Sequence, residues 1–230
     1  MFFENLPGLP LIEKRTKFIP KGIKMLSAKE ELKIPLIGAP AAALRLVKEG
    51  EQVHRGQPLS APHREAIAFS PVTGLVHAIT SLQHPVLGEI FCANIIPKED
   101  QKVHTKQGCS LDETDLSAVA EHAGIIDELD GIPLFRKWKK MRRKNVSVLV
   151  LDLMEEDPYL CSGMMCFQEY AGAVMEGLRL SAKACGVDEV RIAILKREKP
   201  DWKDFESSDL LLFCEDRYPA WNIMKKEFEQ

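Results

Sequence analysis

The chain has 230 residues, 45% of them hydrophobic and 28% charged, with a formal net charge of −3. That length accommodates one large or two modest domains, each with its own core, and the composition is that of an ordinary globular protein. The slightly acidic balance excludes a whole-molecule electrostatic attraction to nucleic acid or to an anionic membrane, so any basic site must be local.

At the N-terminus, MFFENLPGLPLIEKR breaks its apolar residues with prolines and acids where a signal peptide needs an unbroken apolar run. No window approaches the roughly 18 apolar residues of a membrane span. The expected placement is cytoplasmic, and peripheral at the inner face of the cell membrane only through partners. Residues 1–34 are rich in proline and lysine with weak periodicity, and read as an extended arm. Residues 35–100 read as β: Gly38, Gly50, Gly56, Gly74 and Gly88 punctuate short apolar runs, with Pro40, Pro58, Pro62, Pro71 and Pro85 between them. That rhythm predicts a small sandwich or barrel. Residues 101–114 are polar and read as a linker.

From residue 115 to 230, α and β alternate. Leu116, Val119, Ala120 and Ala123 recur at i, i+3, i+4 and i+7, a short helix ended by Gly124. Pro133 fits the first turn of another helix. Val146 to Leu153 is a near-continuous apolar run, as in a strand buried on both faces. Ala171, Val174, Met175, Leu178, Ala182 and Cys185 trace one helical face, stopped by Gly186, and Val190–Leu195 and Leu210–Phe213 read as further strands. Strand, long crossover helix and strand imply a parallel sheet. The expected fold class is therefore α/β plus β, a β domain followed by a small parallel-sheet α/β layer domain.

The six cysteines, Cys92, Cys109, Cys161, Cys166, Cys185 and Cys214, include no C-x-x-C pair. Iron–sulfur and structural zinc sites need three or four ligands converging on one metal, so neither is expected here. His54, His63, His77 and His84 match no metal-ligand spacing and read as structural histidines.

LVKEGEQVHRGQPL (46–59) and FSPVTGLVHAI (69–79) resemble the hammerhead sandwich of biotinyl and lipoyl domains. A carrier of that kind needs a lysine at a hairpin tip. There is none between Lys48 and Lys98, and by spacing His63 and Arg64 occupy the tip, which leaves the shape without covalent carriage.

Together, IGAPAAALRLVKEGEQVHRGQPL (37–59) and 69–79 resemble the barrel–sandwich hybrid domain of RnfC proteins, subunits of membrane-associated electron-transport complexes. The second half follows that family's flavin-subunit-like domain in order. AEHAGII (120–126) resembles a helix end, and MEEDPYLCS (154–162) resembles a Glu-Cys-Glu-Pro-Tyr-Leu-Thr run after a strand. EGLRLSAKACGVDEVRIAI (176–194) supplies the next helix and strand, and Arg217-Tyr218-Pro219 stands where the family carries Lys-Tyr-Pro-x-Gly-Gly. The resemblance covers residues 35 to 220. It implies candidate cofactor-binding residues Gly131, Lys137, Glu155 and Asp157, the two acids as partners of a nicotinamide ribose.

The departures from the family pattern are local. Its Gly-x-Gly-Gly-Ala-Gly-Phe-Pro loop brings backbone N–H groups to a flavin phosphate at a helix start. Here IIDELDGIP (125–133) keeps only Gly131 and Pro133 and introduces Asp127, Glu128 and Asp130, charges that repel a phosphate. Glu156 replaces the cysteine between the two acids, Gly163 and Met164 replace aspartates, and Ala220 and Trp221 replace glycines. The family's two cysteine-rich cluster motifs are not found in the sequence.

PLFRKWKKMRRK (133–144) holds seven Lys or Arg over Leu134, Phe135, Trp138 and Met141. Such a helix is a solvated basic face or a holder of a phosphate, an anionic lipid or an acidic partner. The function expected from all this is an accessory, noncatalytic RnfC-like protein. Its partners would be protein subunits of an electron-transfer system, without nucleic acid. No cofactor is assigned, FMN and NADH being the candidates. The alternative is a minimal NADH- or FMN-binding electron-transfer subunit whose clusters lie on a separate chain, and a small-molecule sensor is a further rival.

Overall fold

The computed structural model describes residues 9–10, 22–24, 26–36, 45–61, 67–86, 88–103, 115–127, 130–154, 160–196, 208–214 and 217–218. In chain order the elements are β1 (Leu9–Pro10), β2 (Leu32–Pro35), β3 (Gln52–Val53), β4 (Gly74–His84), β5 (Gly88–Pro97), α1 (Leu116–His122) and α2 (Leu134–Arg143). They continue with β6 (Val148–Asp152), α3 (Ser162–Cys185), β7 (Glu189–Leu195), a 3-10 turn (Ser208–Leu210), β8 (Leu211–Cys214) and β9 (Arg217–Tyr218). The chain divides into two compact units, Met25–Lys137 and Met1–Lys24 with Trp138–Gln230, the boundary falling within α2.

The first unit is built on a curled antiparallel sheet of order β2-β5-β4-β3. The β4–β5 hairpin pairs Gly74 with Pro97 through His84 with Gly88, with a bulge between Val76 and Ala78 that bends the ladder. Val76, Ala93 and Ile95 close over Leu36, Val47, Val53, Leu59, Ala68 and Val72 in one apolar core. Buried Thr73 ties that core to its neighbours. Its hydroxyl accepts from the Arg55 amide at 3.2 Å and donates to the Lys102 carbonyl at 2.5 Å. The glycine- and proline-punctuated β half expected from the sequence is thus a mixed set of two long strands and several short ones.

Helix α1 is started by Asp115, whose carboxylate accepts from the Ser117 amide at 2.9 Å. It ends at Ala123, and Gly124 follows with φ +62°. A Cβ on Gly124 would lie 2.8 Å from Phe69 Cε2, so both the left-handed backbone and the close approach of the ring call for glycine.

In the other unit the parallel sheet expected from the apolar runs is present, in order β6-β7-β8. Successive residues of β7 serve opposite faces. Ile192 and Ile194 pack with Leu153, Met164, Phe167 and Leu178, while Ala193 and Leu195 pack with Met154 and Cys214. The Ile192–Leu195 part of the strand, buried on both faces, needs an unbroken apolar sequence, which is why no alternation is seen there. Helix α3 stops where Gly186, at φ 70°, accepts the left-handed capping conformation. Leu9 and Pro10, within the stretch read as an arm, pair with Tyr218 and Arg217.

Candidate functional site

The segment from Ile125 to Lys137 closes on itself. The Leu134 amide donates to the Ile125 carbonyl at 2.9 Å, and Ile126 and Pro133 form an antiparallel bridge. Inside that ring the Asp127 amide donates to the Ile132 carbonyl (3.0 Å) and the Gly131 amide to the Asp127 carbonyl (2.9 Å). The Ile132 amide donates to Asp130 Oδ1 at 3.0 Å. Gly131, at φ +69°, provides the turn that folds the loop back. Pro133 then launches α2, its carbonyl accepting from the Arg136 amide at 3.0 Å.

The turn brings the Asp127 and Asp130 carboxylates onto the first turn of α2. Lys137 Nζ donates to Asp127 Oδ2 at 2.6 Å and lies 2.8 Å from Asp130 Oδ2. The lysine side chain is 16% exposed, against 30% for Asp127 and 39% for Asp130, so the ammonium is the shielded centre of the group. Burial by itself would lower the Lys137 pKa. The hydrogen bonds and charges of Asp127 and then Asp130 outweigh it and hold the ammonium above the usual lysine value. In return the hydrogen bond from Lys137 holds the Asp130 carboxyl below the usual range. Short, charge-assisted contacts of this kind are stronger than neutral ones and fix the geometry of both partners.

Of the residues singled out in the sequence, Gly131 and Lys137 share this loop and helix start. Glu155 and Asp157 lie outside the described residues, as does Glu128. Asp127 and Asp130 read in the sequence as repelling a phosphate. Their direct grip on Lys137 is the feature that sequence reasoning missed. The available signal was a single glycine, Gly131, between acids and a lysine less than two helical turns downstream.

A phosphate at a helix start needs unengaged N–H groups and a free cation. Here the amides of Asp127, Gly131, Ile132 and Leu134 already donate to acceptors within the segment, and the lysine is held by two carboxylates. The described residues of the loop therefore do not fit the phosphate of a flavin nucleotide. Among the described residues, no group of three or more His, Cys, Asp or Glu side chains is placed to hold a metal ion. No helix among them is long and apolar enough to cross a membrane.

Two family models match the chain, the RnfC barrel sandwich hybrid domain over residues 7–102 and the Nuo51 FMN-binding domain over 122–208. Over 163 residues, 67% of this chain, it is 28% identical to a component of the ion-translocating oxidoreductase complex of Erwinia tasmaniensis. Over 188 residues, 76% of this chain, it is 27% identical to a component of the proton-translocating ferredoxin:NAD(+) oxidoreductase complex of Clostridium ljungdahlii. The matched regions span 20% and 40% of those relatives' own lengths.

Proposed function

We propose that this chain, which is RnfC-like, is an accessory subunit of a multi-subunit electron-transfer assembly, a scaffold that contacts other subunits and carries no flavin on its 125–133 loop. The likeness to components of such complexes supports protein partners. One observation carries the noncatalytic reading. Lys137 is held by Asp127 and Asp130 at 2.6 and 2.8 Å, and the amides of Asp127, Gly131, Ile132 and Leu134 are engaged within the segment. An entering phosphate dianion would have to displace two carboxylates tethered beside the same ammonium.

Titration of the purified chain with FMN and with NADH, followed by calorimetry and flavin fluorescence, tests the reading. No binding is expected up to about 1 mM, and a dissociation constant near 1 μM, about 8 kcal/mol of binding free energy, would overturn it.

The match of residues 122–208 to a flavin-binding domain favours a second reading, a minimal NADH- or FMN-binding subunit whose clusters lie on another chain. It would use Lys137, Glu155 and Asp157. Replacing Glu155 and Asp157 together by alanine should then weaken nucleotide binding, and an unchanged affinity would remove this reading.

A further inference from the structure

Helix α2 presents two unlike faces. Phe135 and Trp138 are each 6% exposed, and Leu134 and Met141 are half-buried beside them. On the opposite side Arg136, Lys139, Lys140 and Arg143 recur at i, i+3, i+4 and i+7, all exposed, with exposed Arg142 and Lys144 flanking them. Residues 133–144 contain seven basic residues and no acidic one, so with −3 overall the rest of the chain carries −10. This is a concentrated positive strip on an otherwise acidic protein.

Lys137, which projects toward the loop, is neutralised by Asp127 and Asp130. Further along the strip, Lys140, Arg142, Arg143 and Lys144 form no ion pair among the described residues, and Arg143 Nε donates instead to the Lys139 carbonyl at 3.3 Å. Like charges three and four residues apart on a helix repel one another. An anionic surface laid along the strip relieves that repulsion. The helix C-terminus itself favours cations, which keeps the last turn basic without a local counter-charge.

We propose that the outward face of α2 is a docking surface for an anionic lipid bilayer, a direct headgroup contact beyond the attachment through protein partners. Two observations favour lipid over an acidic protein segment. The aromatic residues of the helix are turned inward, so the face lacks the buried apolar anchor on which protein–protein recognition concentrates its energy. A cluster of four to eight basic residues on an amphipathic helix is the pattern that reads a negatively charged membrane by electrostatics alone. The flat, fully polar strip fits phosphate headgroups without inserting into the acyl region. This inference stands whether or not the loop beneath binds a nucleotide.

Flotation of the full chain with phosphatidylcholine vesicles containing or lacking about a third phosphatidylglycerol tests it. Binding is expected only to the anionic vesicles, and it should fall away as salt rises from 0.1 to 1 M and the screening length shrinks from about 10 to about 3 Å. Each basic residue near such a surface contributes about fivefold, so the K140Q/R142Q/K144Q triple variant should bind about 100-fold more weakly. The K24Q/K29Q/K33Q variant, equal in charge but remote in sequence from the strip, should bind like wild type. Equal binding to both vesicle types, or equal losses in the two triple variants, would overturn the proposal. So would soluble polyglutamate that binds the wild type as tightly as the anionic vesicles at equal charge, which would assign the strip to an acidic protein. Because the vesicle and polyglutamate arms use the wild type, they decide the matter even if a variant folds poorly.

Discussion

Replacing Gly124 by alanine probes how the candidate loop is anchored, and its cost can be worked from two separate terms. Gly124 has φ +62°, and placing an L-residue in the left-handed region costs about 1–2 kcal/mol. The new methyl group would also sit 2.8 Å from Phe69 Cε2 and 3.4 Å from Cζ, an overlap that requires the ring or the chain to shift. Overpacking of that kind costs about 1–3 kcal/mol, so G124A should lose roughly 2–5 kcal/mol in all. Urea unfolding followed by circular dichroism measures it, with the slope checked for constancy between variants. The two terms separate in a cycle with Phe69→Leu, which removes the offending ring atoms. In that background G124A should cost about 1–2 kcal/mol, leaving a coupling of about 1–3 kcal/mol between the sites. A loss below about 0.5 kcal/mol, or a loss unchanged by Phe69→Leu, would refute the close-approach argument.

Lys137 holds the Asp130 carboxyl below its ordinary value of about 3.9, so the contribution of Asp130 is complete above about pH 4 and disappears as the pH falls through the lowered value. The melting-temperature gap between wild type and D130N should therefore stay constant in the neutral range and close on acidification; a widening gap would contradict this. Phe167, 1% exposed among Leu153, Met164, Ile192 and Ile194, should cost about 3–5 kcal/mol on truncation to alanine, again read from urea unfolding. Among the described cysteines, exposed Cys166 should alkylate first with iodoacetamide, as read by peptide mapping. Cys92 and Cys185, buried and with thiols pushed up by that burial, should react last.

Legibility in the sequence followed the reach of each signal. The stop of α1 at Gly124 and of α3 at Gly186 could be read directly, because a left-handed cap calls for glycine whatever lies around it. The parallel sheet was legible because both faces of β7 are covered over Ile192–Leu195, which demands an uninterrupted apolar run there. The start of α3 was not. The helix begins at Ser162, nine residues before the first apolar position of the face that periodicity traced from Ala171. Its N-cap, Cys161, makes no side-chain capping bond, and Tyr170 departs from helical geometry, so the period slips between the two parts. Gly74 also misled, since a glycine read as a turn is the first residue of an eleven-residue strand.

Of the candidate residues only Gly131 and Lys137 are described, and the pairing of Lys137 was not legible in the sequence for a physical reason. Taken singly, Lys137 argues for an anion and the loop acids argue against one, and sequence separation cannot rank the two. The fold ranks them by distance. Once the Gly131 turn sets Asp127 and Asp130 within 2.8 Å of Nζ, the lysine's charge is spent inside the chain. The same carboxylates that would repel a phosphate also remove its only described counter-charge in the loop. Engagement of the loop amides adds a second, independent obstacle, since removing the acids would free the lysine and leave the Gly131 and Leu134 amides bonded to backbone carbonyls. Making an anion site here therefore requires a change of backbone as well as of charge.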